Sequence, residues 1–152
     1  MMRFFMALLC AFAFAGAARA QSFSAGLSLT GGDVFGAGLF EAGLPGNIGA
    51  AVRFEALNLI APAVSLRADL GTDGVAASVQ WRADLSQQFN LTLNAGFGLL
   101  RYTTPALLGA VGLEYRFANY GVALEYGLRS SFLTDTPALR SHFALSVLLF
   151  FG

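Results

Sequence analysis

Most of the chain alternates between apolar residues and polar or small residues with a period of two. In segment 75–85, the odd positions hold Val, Ala, Val, Trp, Ala and Leu, whereas the even positions hold Ala, Ser, Gln, Arg and Asp. Side chains of a β-strand point alternately to opposite faces, so the pattern predicts strands with one apolar face and one polar or small face. Similar alternation recurs in segments 22–31, 48–56, 63–70, 89–99, 111–117, 120–129 and 142–151. Residues typical of turns separate the predicted strands at 44–47, 61–62, 71–74, 86–88, 103–105 and 118–119.

The length and composition of these segments distinguish a membrane barrel from a soluble β-sandwich, which also alternates. The segments run for roughly 10 to 12 residues, which suits a tilted membrane strand better than a soluble strand of about 5 or 6. The mean hydropathy is +0.63, yet the longest apolar stretch after the first twenty residues, 143–151, is about half a spanning helix. In hydrocarbon every backbone polar group must be paired, which a closed barrel achieves. The sequence therefore predicts an all-β fold, an antiparallel transmembrane β-barrel.

The first twenty residues have the features of a cleaved signal peptide. Arg3 gives a positive start, an apolar run covers residues 4–14, and Ala18 and Ala20 occupy the two positions that signal peptidase inspects. A lipoprotein signal at Cys10 is disfavoured because leucine, not a small residue, precedes the cysteine. We therefore predict a signal peptide over 1–20 and a barrel domain over 21–152. The mature chain would contain no cysteine, which excludes disulfides and thiolate metal sites.

The number of strands follows from the orientation of the barrel. Nine candidate strands include residues 33–44, whereas a single-chain bacterial barrel has an even number of strands. If the last strand ends in the periplasm, the connection at 130–138 lies outside the cell, where longer loops belong. We then expect eight strands beginning with residues 33–44. Residues 22–31 would then form an arm outside the barrel. Alternatively, they pair with a further strand that the pattern does not reveal, and the barrel has ten strands. On this topology the connections at the periplasmic end are 59–62, 86–88 and 118–119.

Aromatic residues at the strand ends agree with this orientation, since aromatic girdles mark the two membrane interfaces. The ordinary preference of aromatic residues for strands is the competing explanation. The periplasmic ends carry Phe89, Tyr115, Phe117, Tyr120 and Phe151, and the outer ends carry Tyr102 and Phe132.

Charged residues on the polar faces are the candidate lumen residues. Several occur as opposite charges two residues apart, which places both on one face of a strand. The mature chain would hold seven arginines and nine acids, and this near balance argues against nucleic-acid binding. In an eight-strand barrel ion pairs would plug the lumen, whereas in a ten-strand barrel they would line a narrow path. The candidates for lumen ion pairs are Arg53, Glu55, Arg67, Asp69, Arg82, Asp84, Glu114, Arg116, Glu125 and Arg129.

Residues suited to catalysis or to metal binding are scarce. His142 is the only histidine, so we predict no metal site and no cofactor. Ser146 lies four residues away on the same face, about 13 Å along a strand, which is too far for a nucleophile–base pair. We therefore predict no catalytic residues and expect His142 to be a polar lumen residue near the outer rim.

The predicted signal, the alternating strands and the closing segment 141–151 together resemble the small outer-membrane barrels of the OmpA transmembrane-domain, OmpX and opacity type. The closing segment resembles the C-terminal signal that the barrel-assembly machinery reads, although Gly152 follows the terminal aromatic Phe151. The resemblance implies a bacterial outer-membrane location, with lipids and the assembly machinery as partners. We expect a non-enzymatic role in envelope integrity or surface interaction. The alternatives are a narrow passive pore and, less favoured, a lipid-modifying enzyme.

Overall fold

The computed structural model describes residues 22–32, 48–72, 74–132 and 139–152. The signal peptide predicted over 1–20 and the strand predicted over 33–44 lie outside these ranges. No helix in the described ranges is long and apolar enough to cross a membrane. The described chain forms eight strands: β1 (Ser22–Gly32), β2 (Ile48–Ala61), β3 (Val64–Gly71), β4 (Gly74–Asp84), β5 (Phe89–Leu100), β6 (Thr104–Phe117), β7 (Tyr120–Ser131) and β8 (Leu139–Phe151).

The strands close into an antiparallel barrel in which each strand pairs with the next and β1 pairs with β8. The closing seam runs from Phe23 opposite Phe151 to Gly32 opposite His142. The prediction of eight strands is confirmed, but the interpretation of residues 22–31 as an arm outside the barrel is wrong. Those residues form β1, and pairing on both sides leaves neither β1 nor β8 with an open edge.

The barrel has two rims, which we name by the chain segments found there. The terminal rim is where β1 begins and β8 ends, and the turns after β2, β4 and β6 lie there. The loop rim is the opposite end, where β1, β3, β5 and β7 end. The turn predicted at 103–105 lies slightly earlier, because Arg101 and Tyr102 have positive φ angles and Pro105 already pairs with Leu99 within β6. A proline is tolerated there because it is the second residue of its strand.

Burial is inverted relative to a soluble protein. Among the described residues, most of the buried side chains are polar or charged, whereas Leu27, Leu124 and Val147 are each more than half exposed. The alternation explains the inversion, because inward positions hold the polar and small residues and outward positions hold the apolar ones. The barrel thus presents an apolar outer wall and encloses a polar lumen, as in transmembrane barrels.

Aromatic side chains gather near both rims of the outer wall. At the terminal rim, Phe23 stacks on Phe151 with ring centroids 4.8 Å apart, and Phe89 packs against Tyr115 at 4.9 Å. Nearer the middle of the wall, Tyr126 packs on Phe143 at 4.9 Å. In the loop half, Phe97 and Phe132 pack together at 6.1 Å. The pairs at the terminal rim stand at the level that an aromatic girdle occupies in membrane barrels.

Small residues on the inner wall make room for the larger lumen side chains. At Gly112 on β6, an added Cβ would lie 2.7 Å from Glu125 Cγ, 2.8 Å from Thr92 Oγ1 and 2.9 Å from the Leu124 carbonyl oxygen. Gly109, three residues earlier, pairs with the outward-facing Ala95, and the nearest atom to its added Cβ is 3.9 Å away. The two glycines of β6 therefore face different environments.

We expect Gly112→Ala to lower the free energy of unfolding by about 1–3 kcal/mol, because the methyl group overpacks a filled lumen against a backbone oxygen. Gly109→Ala is the matched control and is expected to be neutral or to stabilise by up to about 1 kcal/mol, since the unfolded chain loses freedom and nothing clashes. Urea-induced unfolding of the two variants in lipid vesicles measures both values. Equal effects at the two positions would contradict the packing described here.

Candidate functional site

The lumen is the candidate functional site, because nearly all the charged residues of the strands project into it. Arg53 and Glu55 alternate inward on β2, and Arg67 and Asp69 do so on β3. The apolar residues between them face outward, so the period of two fixes the direction of every charge. The remaining inward charges are Arg82 on β4, Glu114 and Arg116 on β6, and Glu125 and Arg129 on β7.

One group of side chains crosses the middle of the lumen, and we name it the loop-side cluster: Arg53, Arg67, Asp69, Asn94 and Glu125. Arg53 Nη2 donates to Glu125 Oε2 at 2.5 Å and Arg67 Nη1 donates to Glu125 Oε1 at 2.5 Å. The same two arginines also bind Asp69, Arg53 through Nε at 3.2 Å and Arg67 through Nε at 2.6 Å. Asn94 Nδ2 adds a 3.1 Å hydrogen bond to Glu125 Oε1. Strands β2, β3, β5 and β7 are thereby tied together across the barrel.

A second group lies nearer the terminal rim, and we name it the terminal-side cluster: Ser24, Glu55, Arg82, Asn90, Glu114 and Arg116. Arg82 Nη2 donates to Glu55 Oε2 at 3.1 Å and to Glu114 Oε2 at 3.0 Å. Glu114 Oε1 also accepts from Arg116 Nε at 2.7 Å and from Asn90 Nδ2 at 3.1 Å. Ser24 donates to Glu55 at 3.2 Å, which adds β1 to the network.

Gln80 links the two clusters. In the amide orientation that satisfies its neighbours, its nitrogen donates to Asn94 Oδ1 at 2.8 Å and its oxygen accepts from Arg82 Nη2 at 2.7 Å. Near the terminal rim, the Arg116 guanidinium lies 3.9 Å above the Phe150 ring, a cation–π contact. Leu148, which is fully buried on the inner face of β8, fills more of the same half. Charged, polar and apolar side chains together occupy the terminal half of the lumen.

The ion pairs differ in part from those suggested by spacing of two residues. Arg67 with Asp69 and Glu114 with Arg116 are in direct contact. Arg53 instead binds Asp69 and Glu125 on other strands. Partners on other strands depend on barrel closure, which the spacing within one strand does not encode.

Two of the candidate residues lie apart from the clusters. Asp84 is exposed near the terminal rim, and its neighbour Arg82 contacts Glu55 and Glu114. Arg129 lies on the other side, where it lines a cavity in the loop half of the lumen. Three uncharged residues, Asn90, Asn94 and Gln80, also form hydrogen bonds in the lumen and are not among the charged candidates. Their even positions on polar strand faces are the sequence signal that they point inward.

The cavity has a volume of about 80 Å³ and lies between the loop-side cluster and the loop rim. Arg53, Arg67, Asp69 and Asn94 form its inner end. Its walls are mostly glycine, alanine and serine, which leave this half of the lumen unfilled. The small residues that line the cavity are Ser28, Ala50, Ala51, Gly71, Gly74, Ala76, Ser78, Gly96, Gly98, Ala110, Ala144 and, through its backbone, Gly109.

His142 and Ser146 do not form a catalytic arrangement. Ser146 is fully buried and its hydroxyl shares a 2.9 Å hydrogen bond with the Ser28 hydroxyl on β1. His142 lines the cavity from β8, opposite Gly127 on β7. Among the described residues, no group of three or more His, Cys, Asp or Glu side chains is arranged to hold a metal ion.

The similarity of this chain to known proteins lies in its fold. No protein-family model matches the sequence, and no curated protein matches it significantly. Among solved structures, the chain is similar to a barrel from the de novo design of transmembrane β-barrels, with a TM-score of 0.59, 10% identity, and coverage of 86% of this chain and 96% of that one. The fold is that of a transmembrane β-barrel.

Two natural proteins also match over most of their length, with lower structural similarity. Outer membrane protein AlkL, solved by solid-state NMR in DMPC bilayers, shows 13% identity and a TM-score of 0.36, covering 88% of this chain and 91% of that one. The KdgM porin shows 11% identity and a TM-score of 0.27, covering 84% of this chain and 98% of that one.

Proposed function

We propose that this chain is a bacterial outer-membrane barrel with a closed lumen, serving envelope integrity or surface interaction rather than transport or catalysis. The observation that carries the proposal is the pair of ion clusters that span the lumen. Arg53 and Arg67 meet at Glu125 from the opposite wall, and Arg82 bridges Glu55 and Glu114. An eight-strand barrel is only wide enough for side chains to fill it, so these bridges leave no continuous water path.

The outer wall supports the location. Apolar side chains are exposed on every strand, for example Leu29 on β1, Leu107 on β6 and Leu145 on β8. In water such a continuous apolar surface favours association, whereas in a bilayer it replaces contacts between lipid chains. The resemblance to the OmpA, OmpX and opacity type adds the outer membrane, its lipids and the barrel-assembly machinery as the expected surroundings.

A non-enzymatic role agrees with the chemistry of the lumen. The carboxylates of both clusters are occupied by arginines, and the Ser146 hydroxyl is fully buried against Ser28. A lipid-modifying enzyme requires its reactive groups to reach a lipid at the outer wall. His142, the only histidine, projects into the lumen instead.

A narrow passive pore is the second candidate, favoured by the cavity in the loop half of the lumen. Conductance in planar lipid bilayers separates it from the closed barrel. We expect the wild-type protein to insert without stepwise current, because the loop-side cluster and the terminal-side cluster both block the path. Reproducible single-channel steps from protein of verified folded mobility would contradict the closed lumen and establish the pore.

A further inference from the structure

The seam between β1 and β8 closes the barrel without a chain connection, because these strands are the first and the last of the eight. The middle of its inner face carries small residues, Gly26 and Ser28 on β1 and Ala144 and Ser146 on β8. Ser28 stands directly opposite Ser146, and their hydroxyls share a 2.9 Å hydrogen bond. We name these two residues the serine pair. The loop-side cluster takes no member from either strand, since its residues lie on β2, β3, β5 and β7.

The ion pair between Arg53 and Glu125 lies across this seam. Around the barrel, β8 and β1 are the two strands between β7, which carries Glu125, and β2, which carries Arg53. Arg53 stands opposite Gly26 on β1, and Glu125 stands opposite Ala144 on β8. Gly26 is the inward position on the terminal side of the serine pair, and Ala144 is the inward position on its loop side. A bond from Arg53 to Glu125 therefore crosses diagonally above the serine pair.

Burial and distance agree with this placement. Arg53 is 1% exposed, Glu125 is 2% exposed, and Arg53 Nη2 lies 2.5 Å from Glu125 Oε2. Both members of the serine pair are almost fully buried, although short side chains cannot fill a lumen by themselves. The ion pair covers them from the lumen side. The small inner face of the seam in turn leaves the space in which an arginine of β2 and a glutamate of β7 can meet.

Glu114 is a matched carboxylate on the other side of the lumen. It is 1% exposed and accepts from two arginines, Arg82 on β4 and Arg116 on β6, as well as from Asn90 on β5. These partners lie on three consecutive strands that include neither β1 nor β8. Glu114 and Glu125 thus resemble each other in burial and in arginine partners, but only the bonds of Glu125 reach across the seam.

We propose that the Arg53–Glu125 ion pair is a latch, which holds β2 and β7 together across the lumen and so keeps β1 and β8 paired. Separation of β1 from β8 moves their outer neighbours β2 and β7 apart, which the buried ion pair resists. When the pair is broken, the seam is where the barrel opens towards the lipid, because every other neighbouring pair of strands is joined along the chain. The latch requires only the closed barrel and does not depend on the proposed role in the envelope.

Hydrogen exchange of the backbone amides tests the latch. Exchange in β1 and β8 is compared with exchange in β4 and β5 by NMR, on protein of verified folded mobility in detergent micelles. Glu125→Gln should speed exchange at the seam by about tenfold or more relative to β4 and β5, since local opening exposes the amides of the strands that separate. Glu114→Gln is the matched control, and its ratio should stay within about threefold of the wild type.

A disulfide across the seam should replace the latch. Ser28→Cys and Ser146→Cys place two thiols directly opposite each other on paired strands, a spacing that a disulfide can bridge. In the Glu125→Gln background, the oxidised disulfide should return seam exchange to the wild-type rate, and its reduction should restore fast exchange. Ala68→Cys with Ala77→Cys is the control, because these residues are opposite each other on β3 and β4. That disulfide should leave seam exchange fast.

Three results would overturn the latch. The first is equal acceleration on all four strands in Glu125→Gln, and the second is an equally large acceleration at the seam in Glu114→Gln. The third is fast seam exchange that persists with the seam disulfide formed. If Glu125→Gln alone yields no folded protein, the seam disulfide should restore folding. Failure to fold with that disulfide formed would also overturn the proposal, because Glu125 would then be required for something other than the seam.

Discussion

Replacing Glu125 with glutamine is expected to lower the free energy of unfolding by about 3–5 kcal/mol, the usual cost of removing one partner from a buried ion pair. Glu125 is only 2% exposed and accepts from Arg53 through one oxygen and from Arg67 through the other. Glutamine keeps the shape but removes the charge. It also turns an amide nitrogen towards one of the two guanidinium groups, where donor would face donor. Both arginines would then share Asp69 as their only acid in the cluster.

The measurement is urea-induced unfolding of the protein in lipid vesicles, with the folded fraction read from gel mobility without boiling. Asp84→Asn is the matched control. It removes the negative charge of another strand residue of the barrel, but at a position on β4 that is exposed near the terminal rim. Its effect should stay within about 0.5 kcal/mol, as for other exposed positions. If Glu125→Gln were as mild as Asp84→Asn, the loop-side cluster would not be holding the lumen closed.

Leu124→Arg is the second change with a large expected effect. Leu124 lies near the middle of β7, is 55% exposed on the outer wall, and stands between Leu113 on β6 and Leu145 on β8. An arginine on the lipid-facing side near the bilayer midplane costs about 2–4 kcal/mol. The expected result is a decrease of that size in the free energy of unfolding in vesicles.

Gln87→Arg provides the matched control, since Gln87 is exposed in the turn between β4 and β5 and the interfacial cost of arginine is about 0–1 kcal/mol. A soluble exported β-domain would behave differently, because arginine at a water-exposed position of its wall costs little. Equal and small effects at positions 87 and 124 would therefore argue against a lipid-facing wall.

The alternation of residues was sufficient to predict which way most side chains face. Val79 and Trp81 point outward because the face towards the lipid must be apolar. Gln80 and Arg82 alternate with them and therefore point inward, since successive side chains of a strand face opposite sides. The same reasoning placed Glu125 and Arg129 in the lumen. Whether a side chain points inward or outward is a local property of its strand, so it can be predicted from a single sequence.

The alternation of residues did not predict which segment forms the first strand. Residues 22–31 alternate as well as the other segments do, with Phe23, Leu27 and Leu29 on one face. The requirement for an even number of strands and the assumed first strand at 33–44 excluded them from the count. What decides the matter is the pairing of β1 with both β2 and β8, a contact between distant parts of the chain.

The partners of the charges were likewise only partly predictable. A spacing of two residues brings Arg67 to Asp69, because both lie on one face of β3. The bonds of Arg53 to Glu125 and of Arg82 to Glu55 join strands on different sides of the lumen. Such pairs depend on the stagger of the closed barrel, which strand patterns leave undetermined.

The most direct test of a closed, membrane-embedded barrel is gel mobility of the purified protein from lipid vesicles, with and without boiling, together with its circular dichroism. We predict that the unboiled protein migrates faster than the boiled protein and gives a β-sheet spectrum, because the closed barrel of β1 to β8 survives in detergent as a compact body. Identical mobility before and after boiling, or a helical spectrum, would contradict the fold and with it the closed lumen.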